Sequence, residues 1–324
     1  MRWDEAWPAD AALYGDDSWA HHDLAVAADG RLVGFRSGTG SCWILDREGR
    51  LAGEWASGLG EGHGLTIVGP PGAEELWVAD PGVTFARDAA GVMVDVWTGA
   101  HGRVLAFDLA GVMLAELPTP DLPIYGGPGA YRPTTVAVES SGDGAVWIAD
   151  GYGASLVHRL SRQGDLLLTL SGEEGAGRFD CPHGLLIDRR RPGEPLLYVT
   201  DRGNDRIAVY DLEGKFLRTI EEGLRAPSGL ATRGEQLVVA ELEARVTILD
   251  GGDRAIERVG DNPAAASRPG WPNALDAAGR TVRPALRAGE FNSPHGLAVD
   301  PEGDVYVAEW VLGGRLVRLR SNQS

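Results

Sequence analysis

One phrase recurs six times along the chain, and that repetition restricts the fold more than any other feature. The clearest copy runs from His183 to Ile220 as HGLLID, LLYVTD, RIAVYD and KFLRTI. Each run is short, apolar and rich in β-branched residues, with Gly, Pro, Asp or Glu at the joins. That pattern describes four strands in a meander. Related copies begin at His22, His63, Thr134, Ser228 and Pro294. A single four-stranded sheet cannot bury its own apolar faces, so units of this kind must stack on one another. Strands repeating at this period without intervening helices stack as radial sheets around a central channel.

The expected fold is therefore all-β, a six-bladed β-propeller forming one domain over residues 1–324. The blades are read as 22–50, 63–117, 133–170, 182–220, 227–258 and 294–319. The last unit shows three obvious strands, so a strand from the first 21 residues is expected to complete it. Three stretches break the period: 81–102, 118–132 and 260–292. They are rich in Gly, Pro and Ala and poor in strand signal, and are read as long surface loops, a common location for function.

Composition narrows the function. Hydrophobic residues make up 43% of the chain, enough for a sizeable core. A net charge of -17 opposes nucleic acid and anionic membrane surfaces as partners, because phosphate binding relies on clustered Lys and Arg. An anionic substrate would need a local basic group. Two cysteines, Cys42 and Cys181, are too few for a disulfide framework; two buried thiols are expected, with a single bridge between them as the alternative. The opening MRWDEAWPADAALYG lacks the basic and apolar segments of a signal peptide, and no membrane span is visible. The cytoplasm is the expected compartment.

Aligning the six inner strands exposes a ring. The residue before the Gly-Leu pair, or its equivalent, is His22, His63, Thr134, His183, Ser228 and His295 in turn. His63, His183 and His295 fall on blades two, four and six, about 120° apart by the geometry of radial repetition. Three imidazoles so placed can converge on the axis and hold zinc with an open position. A lone histidine there would be read as structural; three on alternate blades point to a metal. His22 shares the register and is left outside the primary site, and His21, His101 and His158 lie outside it. The ends of the second strands form another ring: Arg36, Asp80, Asp150, Asp201, Glu241 and Glu309. The acids are expected to cap turns. Arg36 either clamps a carboxylate near the metal or pairs with a neighbouring acid. Tyr152 and Arg202 follow the acids of blades three and four and should project at the mouth.

These residues, in this order, resemble the peptidyl-α-hydroxyglycine α-amidating lyase family of NHL-repeat propellers. The likeness spans His22 to Leu319. It rests on the segment around Arg36, GHGL at His63, RPTTVAVE before IADGY at Tyr152, CPHGL at His183, TDRGNDRI at Arg202 and SPHGL at His295. The resemblance implies a lyase that cleaves the N–Cα bond of α-hydroxyglycine-type substrates, giving an amide and glyoxylate. It implies zinc on His63, His183 and His295, Tyr152 as base, and Arg36 and Arg202 on the carboxylate or the developing charge. Two departures stand out. Gly296 replaces the acid that helps bind calcium in the family, which argues against calcium here. Gly153 replaces a cysteine, so the matching disulfide is not expected. The expected partner is a small-molecule or peptide substrate bearing a carboxylate. Two other readings stay open: a non-catalytic NHL propeller acting as a scaffold, and another metal-dependent propeller hydrolase.

Overall fold

Alternating and fully apolar runs settle as strands because each can be covered on both faces by the neighbouring sheets. The computed structural model describes residues 1–8, 13, 15, 18–140 and 144–321. It is a six-bladed β-propeller of six four-stranded antiparallel sheets. Blade one comprises Ala25–Val26, Leu32–Arg36, Ser41–Leu45 and Leu51–Ala56; blade two comprises Gly64–Val68, Glu75–Asp80, Arg103–Asp108 and Met113–Leu117. Blades three and four run from Thr135–Val138 to Leu166–Leu170 and from Pro182–Asp188 to Phe216–Ile220. Blade five runs from Pro227–Arg233 to Ala255–Val259. Blade six combines Pro294–Val299, Val305–Glu309 and Arg315–Arg320 with Arg2–Trp3 from the other end of the chain. Arg2 pairs with Arg320 and Trp3 with Leu319. Residues 9–12, 14, 16 and 17 of the N-terminal segment lie outside the described residues.

Each inner strand touches the inner strands of both neighbours, so the ring is closed. The core is correspondingly divided among the interfaces between blades. Phe35, Cys42 and Leu65 fill the joint of blades one and two, and Trp77, Val136 and Ile148 that of two and three. Trp43, Leu45 and Tyr306 close the joint of blades six and one. Among the described residues helix is confined to two 3-10 turns, Pro123–Tyr125 and Arg202–Asn204, and no helix is long and apolar enough to cross a membrane.

The stretches that break the repeat are more ordered than the sequence reading expects. Residues 81–102 form a hairpin, Val83–Arg87 against Met93–Trp97, because VTFAR and MVDVW are rich in β-branched and aromatic residues. The 260–292 stretch contains a short pair, Ala274–Leu275 with Thr281–Val282. The two excursions meet: Thr281 donates its backbone N–H to Gly91 O (3.2 Å), and its Oγ1 accepts from Met93 N–H (3.0 Å).

Candidate metal centre and substrate cavity

The inner strands bring His63, His183 and His295 together on the axis. Their ring centroids are 4.7 to 4.8 Å apart in every pair, and all three residues are buried. One device orients them. His63 Nδ1 donates to Thr134 O (2.5 Å), His183 Nδ1 to Ser228 O (2.9 Å) and His295 Nδ1 to His22 O (3.2 Å). Each accepting carbonyl belongs to the equivalent residue on the next blade. The glycine after each histidine makes room for that approach. A Cβ on Gly64 would lie 2.6 Å from Thr134 O, one on Gly184 2.5 Å from Ser228 O, and one on Gly296 2.7 Å from His22 O. The HG pair is thus a single unit: the imidazole donates to a carbonyl that only glycine lets in. At Gly296 the backbone itself excludes an acid, since its Cβ would fall 2.3 Å from Asp23 Cα.

A carbonyl only accepts, so each Nδ1 carries the proton and each Nε2 presents a lone pair. His63 Nε2 and His183 Nε2 both face the Tyr152 hydroxyl, at 3.0 and 3.2 Å. That hydroxyl has one proton and can serve one of them. His295 Nε2 is buried with no hydrogen-bond partner. Buried lone pairs left without a donor are costly, and a cation relieves all of them at once. Burial drives His63 down to about 3, and drives His183 and His295 well below the ordinary imidazole range, with Arg202 adding to the depression. The rings are therefore neutral, as metal ligation requires. Carbonyl-fixed tautomers are also the usual support of ligating histidines. The residues fit a metal ion that favours imidazole.

A fourth imidazole joins them. The group of ligand atoms that lie within 4.8 Å of one another is His21, His63 and His295, with His21 in the place the sequence assigns to His183. His21 Nε2 is 3.3 Å from the Tyr152 hydroxyl, and its Nδ1 is 3.9 Å from Glu61 Oε1. Glu61 is fully buried, accepts from Ser37 Oγ, and is pushed well above the carboxylate range by burial. Neither residue is singled out by the repeat register, because His21 precedes the aligned position by one and Glu61 lies in the connection before His63. The doublet His21-His22 is the only trace in the sequence. His22 itself turns to the Asp23 carbonyl (2.6 Å) and packs edge-on against Trp43.

Tyr152 and Arg202 stand where the histidines meet. Arg202 Nη1 lies 3.5 Å from the Tyr152 hydroxyl and Nη2 3.2 Å from Cys181 Sγ. Among the described residues no carboxylate lies within ion-pair distance of Arg202. Burial pushes the Tyr152 phenol upward, and the Arg202 guanidinium opposes that. Arg36 is not brought into this group. Its Nε is 3.2 Å from Glu54 Oε1, and it lines a separate cavity of about 360 Å³ with Trp19 and Ser37. All five second-strand acids, as expected, cap the entries to their blades: Asp80 accepts from the backbone of Gly60 and Gly82, Asp150 from Arg132, Asp201 from Asp180, Glu241 from Arg225, and Glu309 from Asn292 and Ser293. Cys42 and Cys181 are unpaired thiols; Cys42 is buried, and Cys181 only half-buried.

Above the histidines is a cavity of about 160 Å³, with His21 and Tyr152 beside Arg202, and with Phe85, Trp97 and Trp310 as aromatic walls. Its size is below the ~300–1,000 Å³ usual for drug-sized ligands.

Fold and centre together define a six-bladed propeller with a histidine cluster on its axis that suits a metal. Residues 291–311 match the NHL repeat. The chain is 26% identical over 219 residues to NHL repeat-containing protein 3 of Mus musculus, covering 64% of this chain and 57% of that protein. It is 38% identical over 97 residues to peptidylglycine alpha-amidating monooxygenase of Rattus norvegicus, covering 28% of this chain and 9% of that protein. The matches therefore span little more than half of the first of these relatives and a small part of the second. Among solved structures, a catalytically inactive virginiamycin B lyase from Staphylococcus aureus with quinupristin superposes at a TM-score of 0.55 and 12% identity, covering 94% of this chain and 95% of that one. At such identity the likeness is one of fold.

Proposed function

We propose that the protein is a zinc-dependent lyase that cleaves the N–Cα bond of α-hydroxyglycine-type substrates to an amide and glyoxylate. The observation that carries this reading is Arg202, a largely enclosed guanidinium without an acidic partner beside three imidazole lone pairs and a phenol. A buried cation without a counter-ion calls for an anionic ligand, and the cavity beside it has room for a small one. The local similarity to an amidating monooxygenase supports the same chemistry.

In this reading His63, His183 and His295 hold the zinc ion, which when bound polarises a substrate oxygen and lowers the pKa of groups beside it. Arg202 binds the substrate carboxylate and sets the hydroxyl toward Tyr152. Tyr152, as phenolate, takes the hydroxyl proton. The O–H electron pair becomes the second bond of the aldehyde, and the C–N pair departs with nitrogen. Tyr152 then returns the proton to that nitrogen, so R–CO–NH–CH(OH)–COO⁻ becomes R–CO–NH₂ and OHC–COO⁻ with nothing gained or lost. The phenol needs help to ionise. Arg202 and a divalent cation both pull its pKa down against the effect of burial.

Metal analysis of the purified protein should find one zinc per chain, lost in His183→Ala. N-acetyl-α-hydroxyglycine should release glyoxylate, and Tyr152→Phe should slow that release by roughly 10²–10⁴-fold while keeping the metal. Metal-loaded protein that releases no glyoxylate, or a fully active Tyr152→Phe variant, would sink the proposal.

A further inference from the structure

The hairpin that covers the mouth brings a negative charge as well as aromatic walls. Val83 faces Trp97 and Phe85 faces Asp95 across its two strands. Directly opposed residues share a face, and these four all line the cavity above Tyr152. Val94 and Val96 lie on the other face, and Asp95 and Trp97, though they line the cavity, also keep solvent contact. The alternation puts Asp95 on the cavity side of the hairpin, where it and Arg202 line the same space. Among the described residues the Asp95 carboxylate takes no hydrogen bond or ion pair. Burial raises its pKa, and its charge is felt at the Tyr152 phenol. The small cavity thus holds one unpaired cation, one unpaired anion and aromatic faces, which also attract cations.

We propose that this cavity recognises a zwitterion, with the carboxylate on Arg202 and an ammonium group on Asp95 between Trp97 and Trp310. A ligand with a carboxylate alone would gain at Arg202 and be repelled at Asp95. One carrying both charges satisfies each group, and a space of about 160 Å³ suits a short molecule. Joined to the lyase reading, on which this step rests, the substrate class becomes an aminoacyl-α-hydroxyglycine with a free amino end rather than a long or N-blocked peptide.

Binding tests the zwitterion site independently of turnover. Metal-loaded protein is titrated with glycylglycine and with N-acetylglycine, which lack the hydroxyl and cannot react. Heat release or the fluorescence of Trp97 and Trp310 follows binding. Glycylglycine should bind roughly tenfold more tightly, as expected for one partly exposed ion pair with a cation–π contribution. Asp95→Asn should erase the difference, and Asp95→Glu should restore most of it. Equal or weaker binding of glycylglycine, a preference that survives in Asp95→Asn, or no binding of either compound would overturn the proposal. Glyoxylate release is read separately from the glycyl and acetyl forms of α-hydroxyglycine. A binding preference without glyoxylate from either form leaves the zwitterion site standing and removes the lyase. Faster release from the acetyl form does the reverse.

Discussion

Three imidazoles, His21, His63 and His183, crowd around one phenol with His295 beside them, and the arrangement has a testable consequence in pH. Ordinary imidazoles titrate near 6.5, so three of them would lose about 70-fold in zinc affinity on going from pH 8 to pH 6. Here burial has already removed the proton: His63 titrates near 3, and His183 and His295 are also well depressed. A group depressed in this way binds no proton until the pH falls far below 6. Zinc affinity should therefore change less than about threefold between pH 6 and pH 8, as read by competition with a chromophoric chelator. The three axial histidines were legible in the sequence because one repeat register fixes the ring position of every inner strand. Arg36 shows where register stops. It marks a place on the second-strand ring, but Glu54 on the same blade captures the guanidinium. A pairing between side chains of different strands leaves no mark on the period. His21 lies one residue out of register and is carried inward by the chain path before the first strand, which no repeat encodes.

At the scale of elements, closure of the last blade rests on very little backbone. Two residues, Arg2 and Trp3, make the pairing. Trp3 adds to it by packing on Phe291 at 4.8 Å and by lying under the Arg315 guanidinium at 4.9 Å. Trp3→Ala should cost about 2 kcal/mol, less than a fully buried tryptophan because the ring is half-exposed. Denaturant unfolding of the variant against the parent measures it. The covering hairpin was less visible than the blades. VTFAR and MVDVW are rich in β-branched and aromatic residues, but MVDVW does not alternate apolar with polar, flanking Gly, Pro and Ala dilute the signal, and the hairpin matches no other copy of the repeat. Its face selection, Val83, Phe85, Asp95 and Trp97 inward, follows from a period of two once the strands are recognised.

For the whole molecule, His63, His183 and His295 come from blades two, four and six, so an ion held by them as proposed would tie together sheets far apart in sequence. A ligand that binds only the folded state adds RT ln(1 + [L]/Kd), about 2.7 kcal/mol at a hundredfold excess over Kd. Chelation should lower the Tm of the parent protein by several degrees and leave a His183→Ala variant unmoved, as scanning calorimetry can show. The architecture was legible because self-similarity reports blade number directly. The packing between blades was not, because each interface draws residues from two copies of the repeat. His63, His183 and His295 each also lean on a carbonyl from the sheet after their own, and the residue that supplies it is never one of these three. Giver and receiver alternate around the circle. Such alternation has a parity: it closes only when the sheets are even in number. Gain or loss of a single repeat, the commonest change open to a tandem array, would set two like neighbours side by side and break the pattern, whereas repeats added or removed in pairs would preserve it.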